Sequence, residues 1–259
     1  MLKRILYTLS ALLLLTRCEI GEYLDYFPES GDLQYFIECY CRPDSTFEMT
    51  ATRVFPLSDL QIKDYAVGWN ASIIAGKTIH LEHGIKRRPD TYFLYNYSST
   101  ERLHSQPGDT LLLDIKTPEQ KHFSASTVVP KPIHLDSVAY RNDRLYIYFT
   151  PDAEVENNYY VIAVNWLTDE WHPALFFLKG HTTTQQVCHI ANIKQKDLQE
   201  IQVSLKRMTA EGYNYQYTCN EERRASEDSF IAPVKLEGNI QGALGIFTCY
   251  TEDYEILRF

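Results

Sequence analysis

Leu33-Gln34-Tyr35-Phe36-Ile37-Glu38-Cys39-Tyr40-Cys41 opens the part of the chain whose reading decides the fold. Its aromatic and β-branched residues suit a pleated strand better than a helix. Comparable short runs follow at 47–54, 69–75, 77–82, 92–97, 110–115 and 122–129, separated by Pro, Gly, Asp and Ser. Pro107-Gly108-Asp109 marks a turn ahead of 110–115. Short strands at such regular spacing predict a β-sandwich over residues 33–129.

Pro130-Lys131-Pro132 interrupts the pattern. Two prolines fix φ and remove donors, so a strand is not expected to run through them, and a domain boundary is placed there. Strands are expected again at 133–140, 144–150, 159–166, 174–178, 186–190 and 201–207, with Asn142-Asp143 as a hairpin turn. One segment reads as helical, Ala210 to about Arg224, with Tyr213 and Tyr217 four apart on one face. Residues 192–198 are expected to add a short helical turn. A last strand, 243–250, is expected to complete the sheet of this second unit, because Ile246 and Phe247 are too apolar for a free tail. Gly238, Gly242 and Gly245 supply positive φ or close backbone approach around it. The fold class is therefore mainly β: a sandwich, then a second β-rich domain over 133–259 with one short helix.

The amino terminus carries a targeting signal. Lys3 and Arg4 precede a nearly all-apolar run from Ile5 to Leu15, which suits a signal-peptide core and is too short to span a bilayer. Leu15-Thr16-Arg17-Cys18 resembles a bacterial lipobox, in which the cysteine is acylated and becomes the mature amino terminus. Arg17 departs from the small residue usual before that cysteine. The other reading is an ordinary secretory peptide, but no small-x-small cleavage site lies near Thr16. Residues 1–17 are thus read as a signal peptide, Cys18 as the lipidation site and 18–32 as an anchor and acidic tether. Glu19, Glu22, Asp25, Glu29 and Asp32 are either a solvated tether or a segment resembling the surface-export signal of Bacteroidota lipoproteins. Removing 1–17 takes away the three cations Lys3, Arg4 and Arg17 and moves the formal charge from −9 to −12. Such a chain repels nucleic acid and anionic lipid, so neither is expected as a partner.

Of the six cysteines, five remain after the anchor, so at least one thiol is free or pairs between molecules. Cys39 and Cys41 share one face of their strand. Without a CxxC or further spaced ligands they read as small apolar core residues with an optional disulfide. No G-x-S-x-G, H-E-x-x-H or P-loop occurs in the sequence. His80 and His83 stand three apart on a strand and diverge. Neither enzyme activity nor a metal or cofactor is expected. Aromatic residues are the other candidates. Tyrosines cluster at 92–97, at Tyr146-Ile147-Tyr148 and at 213–217, where rings either pack inward or stack on sugars and protein partners. Trp166-Leu167-Thr168-Asp169-Glu170-Trp171-His172 places two tryptophans about a turn, and Trp166, Trp171 and His172 are the candidate partner contacts. Asp44-Ser45-Thr46, Asp109-Thr110-Leu111 and Asp136-Ser137-Val138 resemble the Bacteroidota O-glycosylation sequon.

Several segments together resemble one family. Phe47 to Ser58 is similar to its early strand and loop. Pro107-Gly108-Asp109-Thr110-Leu111 and Phe123 to Pro130 resemble the block that ends its first domain. Phe149-Thr150-Pro151-Asp152-Ala153 with Asn157-Asn158-Tyr159-Tyr160 resembles a later signature. Ser229 to Val234 and Gly238 to Phe247 resemble its carboxy-terminal motif, with Ala243 and Thr248 departing from the usual residues. The chain is thereby identified as a member of the Bacteroidota lipoprotein family of domain of unknown function 4249. The resemblance implies an outer-membrane lipoprotein whose first domain is immunoglobulin-like and whose relatives often sit beside TonB-dependent transporters. It brings no catalytic residue. The expectation is a surface-exposed, lipid-anchored, non-catalytic binding or accessory partner of such a transporter. An adhesive or structural module for host or matrix polymers is the alternative, and a hydrolase a third class.

Overall fold

The structure is a computed structural model that describes residues 34–54, 64–88, 94–152, 158–180, 185–191, 193, 197–228, 231–232 and 234–259. The expected signal peptide, Cys18 and the tether lie outside these residues, as does most of the expected helical turn at 192–198. The mainly β reading holds.

Strand β1 (Gln34–Cys41) buries every second side chain: Tyr35, Ile37, Cys39 and Cys41 face a core, and Glu38 and Tyr40 face the other way. It pairs antiparallel with β2 (Thr46–Val54), to which the two-residue β3 (Asp64–Tyr65) adds. Next in space comes β6 (Leu94–Arg102), then β5 (Lys77–Arg87), β4 (Asn70–Ala75), β7 (Thr110–Lys116) and β8 (His122–Val128). The carboxy-terminal part of β5 pairs with β6 and its amino-terminal part with β4, with a register break between His83 and Lys86. The sheet folds over at that strand into a sandwich. Its core is aromatic: Trp69 lies 5.2 Å from Tyr35 and 5.6 Å from Phe123, ring centre to ring centre. Asn96 is fully buried and replaces missing ladder bonds, accepting from Ala51 N (2.8 Å) and donating to Ala51 O and Ala66 O.

The second unit is also two-layered. A small sheet of β13 (Gln186–Ala191), β10 (Arg144–Phe149) and β9 (Leu135–Arg141) faces β12 (Trp171–Gly180), β11 (Asn158–Leu167), β14 (Glu200–Met208) and β15 (Leu244–Arg258). Leu145, Ile147 and Phe149 of the one layer meet Tyr160, Ile162, Val203 and Leu205 of the other.

Strand β15 belongs to both units. Its fifteen residues extend roughly 50 Å. Leu244–Cys249 pair in parallel with Phe36–Cys41 of β1, and Tyr250–Arg258 pair antiparallel with β14. The sequence placed this strand wholly in the second unit and ended it at 250. Instead its first half gives Phe247 and Cys249, with Ile240 just before it, to the first core. Alternation along one strand says which face is buried but not which partner lies beside it. The bridge between Ser124 and Gln241 brings the free edge of β8 back toward the same segment. The two-proline linker is tied to this strand as well: Thr251 Oγ1 donates to Lys131 O at 2.9 Å, and Leu135 N donates to Asp253 Oδ2 at 2.8 Å. Beside it, Arg207 and Lys131 each hold Asp152 at 3.1 Å.

Glycine makes the seam possible. Gly245 has φ +109°, and a Cβ there would sit 1.9 Å from Ile37 O across the ladder. A Cβ on Gly238 would sit 2.1 Å from Gly245 O. Asn239 then pairs its side-chain amide with both N and O of Phe247 at 2.9 Å, as a neighbouring strand would. Among the described residues no helix is long and apolar enough to cross a membrane. Gly245→Ala is expected to lower stability by about 3 kcal/mol or more, and the melting temperature by roughly 6–12 °C, because backbone strain adds to a main-chain clash. Thermal unfolding followed by circular dichroism measures this, with Gly76→Ala, whose site is open but also at positive φ, separating strain from clash.

Candidate functional site

The outward face of the β1–β15 seam carries a concavity. Helix α1 (Ala210–Glu227) borders it. The helix starts because Thr209 caps it, accepting from Gly212 N at 3.2 Å, and Glu211 and Arg224 match the dipole at its two ends. Gly212 also lets the helix touch the seam: a Cβ there would meet Thr248 Oγ1 at 2.3 Å. Thr209 and Thr248 hydroxyls lie 3.0 Å apart. From the next turn, Tyr215 donates to Glu38 Oε1 of β1 at 2.9 Å.

Beside the helix a groove of about 480 Å³ runs over β2, β1, β15 and β14, lined by Tyr40, Arg42, Arg88, Arg102, Tyr250 and their neighbours. It continues into about 320 Å³ that reaches Glu38 and Gln216. Its charges come in pairs. Glu252 accepts from Arg42 at 3.2 Å and from Ser204 at 2.6 Å, with Lys206 at 3.7 Å. Glu48 pairs with Arg88. Lys206 also sits 5.3 Å over the Tyr250 ring. Burial, then the Glu38 charge, pushes the Tyr40 and Tyr215 hydroxyls well above the usual phenol range. Burial and Glu252 raise Tyr250. These phenols therefore stay protonated and serve as hydrogen-bond donors. The groove offers many donors and acceptors with most of its charge already compensated, which suits binding a polar ligand.

Beneath it, Cys39, Cys41 and Cys249 lie fully buried as free thiols. Cys41 and Cys249 are register partners. Burial pushes Cys41 well up and Cys249 up to about 12, so neither is a nucleophile near neutral pH. Among the described residues no group of three or more His, Cys, Asp or Glu is placed to hold a metal ion.

The sequence-expected contact residues sit elsewhere, at the β11–β12 hairpin end. Trp166 and His172 are cross-strand partners whose rings stack at 5.5 Å, and His172 Nε2 lies 3.0 Å from Thr168 Oγ1. Trp166 also packs against the second core. Trp171 is the partner of Leu167, one step along, and so belongs to the opposite face. The fold brings Trp166 and His172 together and turns Trp171 away from them. Trp171 is 47% exposed, as is Leu175 four residues on.

A family model described as "Domain of unknown function (DUF4249)" matches residues 25–256. The chain belongs to the DUF4249 family. No curated protein matches this DUF4249 chain. Among solved structures, one titled as a cytokine receptor complex aligns over 86% of this chain and 95% of its own, at 8% identity and a TM-score of 0.27. A DUF4785 family protein from Legionella pneumophila aligns over 66% of this chain and 50% of its own, at 13% identity and a TM-score of 0.27. Overlaps that poor carry no argument.

Sequence reasoning passed over the groove because its lining comes from strands far apart in the chain. The available signal was the polar residues at alternate positions of apolar strands, Glu38 and Glu48 among them. Tyr215→Phe is expected to lower stability by about 1–2 kcal/mol by removing the donor to Glu38. The half-exposed neighbour Tyr217→Phe is expected to stay within about 0.5 kcal/mol of the parent. Urea unfolding of the two variants measures both.

Proposed function

We propose that this DUF4249 protein is an outer-membrane, surface-exposed lipoprotein, anchored through Cys18, that binds rather than catalyses and serves as an accessory partner of a TonB-dependent transporter. The observation that carries the reading is the outer face of edge strand β12. Trp171 and Leu175 project there, each 47% exposed, while the other face of the strand puts Phe176 and Leu178 against the second core. Aromatic and aliphatic side chains exposed beside an open strand edge suit a protein partner. The seam groove supports capture of a polar ligand for hand-over. Tethering at Cys18 raises the effective concentration of the protein at a membrane partner, so a weak interface suffices.

The test is affinity capture of the tagged protein from native membranes. A TonB-dependent transporter is expected with the parent protein, and several-fold less of it with Trp171→Ala, which leaves the Trp166–His172 stack in place. Cys18→Ala is expected to move the protein out of the membrane fraction or leave an uncleaved precursor. Capture of no transporter, together with direct retention on a matrix polymer through the β12 face, would replace this reading with the adhesive one.

A further inference from the structure

We infer that the outer face of the three-stranded sheet β13-β10-β9 is a second binding surface, distinct from the seam groove and the β12 edge, and that it takes an acidic polysaccharide. Strand β10 alternates strictly: Leu145, Ile147 and Phe149 are buried, which turns Arg144, Tyr146 and Tyr148 outward. His189 of β13 is the cross-strand partner of Tyr146. The Tyr146 and Tyr148 rings are 6.5 Å apart and within 17° of parallel, and Tyr146 and His189 are 6.4 Å apart and within 29°. Three near-parallel rings thus follow the sheet's own spacing along and across the strand.

Arg141 completes the surface. Its guanidinium carbon lies 4.6 Å from the centre of the Tyr146 ring, and Nη2 reaches the Tyr148 hydroxyl at 3.4 Å. Two rings hold this guanidinium in place, and neither Arg141 nor Arg144 has an ion pair among the described residues. The carboxylates of the same hairpin are engaged: Thr150 and Gln185 donate to Asp136, and Tyr140 donates to Asp143. A chain of formal charge −9 presents here an aromatic face with two arginines that make no ion pair among the described residues. Lys77, Arg53 and Arg258, by contrast, each pair with a carboxylate.

Charge and shape together select the ligand class. Guanidinium donors prefer carboxylate or sulfate oxygens. Near-parallel, partly exposed rings offer apolar surface to the C–H faces of sugars, as large amphipathic rings do at interfaces. Duplex nucleic acid satisfies the first demand but places one charge per about 1.7 Å, and the remaining acidic surface repels such density. A polyuronate, with one carboxylate per sugar, meets both demands.

Native affinity electrophoresis of the mature protein through gels containing polygalacturonate, dextran or duplex DNA tests this. Retardation is expected in polygalacturonate alone, weakening as salt is added. Arg141→Gln and Arg144→Gln, both exposed surface changes, are each expected to weaken it about tenfold. Tyr146→Ala is expected to weaken it comparably while the far-UV spectrum is retained; should that variant misfold, the two arginine variants decide alone. Trp171→Ala is expected to bind polygalacturonate like the parent, which separates this surface from the proposed transporter contact. Absence of retardation in polygalacturonate, equal retardation of parent and arginine variants, or stronger retention by dextran or DNA would overturn the inference.

Discussion

The parallel pairing of β1 with the first half of β15 is the constraint on which the rest of this molecule depends. It joins the beginning of the described chain to its end, Phe36–Cys41 beside Leu244–Cys249. A pairing over so large a separation in sequence closes late and at a high entropic cost, so it must be specified strongly. The specification is local and chemical. Gly245 and Gly238 remove the atoms that would collide, Asn239 supplies a strand-like pair of hydrogen bonds, and Phe247 and Cys249 are buried in the first core. The second half of the same strand then carries a full ladder with β14. One continuous backbone crosses from the first core to the second, so the two cannot rotate freely about the two-proline linker.

The binding surfaces follow from that joint. Because β15 passes between the units, the outward side chains of β1, β2, β14 and β15 come together over the seam, and α1 is pinned beside them by the Gly212–Thr248 contact and the Tyr215–Glu38 bond. The groove is thus a product of the junction, in keeping with the tendency of ligand sites to form where two cores meet. Its lining ion pairs are partly buried, with Arg42 alone more than half exposed. Their use is in holding donors and acceptors in place.

Much of the local structure was legible in the sequence. Strand-type runs bounded by turn residues gave the strands at Gln34–Cys41, Thr110–Lys116 and Arg144–Phe149, Cys39 and Cys41 were rightly read as sharing one buried face, and Asn142-Asp143 gave the hairpin turn, where both residues have positive φ. Residue 210 was the right start for the helix, and the glycines before the last strand were rightly read as positions of close approach. Partnership was not legible. Nothing in the alternation of β15 distinguishes a strand beside β1 from one beside β14, because both partners bury the same kind of side chain. The tryptophans at 166 and 171 illustrate the same limit. The turn between them was evident, but only the register Trp166–His172 and Leu167–Trp171 reveals that one indole joins the core and the other leaves it. The groove was hidden for the same reason, since Arg42, Arg88, Lys206 and Glu252 meet only once the register is known.

Hydrogen exchange resolved by mass spectrometry on the folded chain tests the central claim most directly. If β15 makes one cooperative unit of both cores, the amides of Ile37–Cys41, Gly245–Cys249 and Ile201–Leu205 exchange only through global opening, with the same free energy and the same dependence on denaturant. A first core that exchanges fully at low denaturant, while Ile201–Leu205 and the second half of β15 stay protected, would contradict the account.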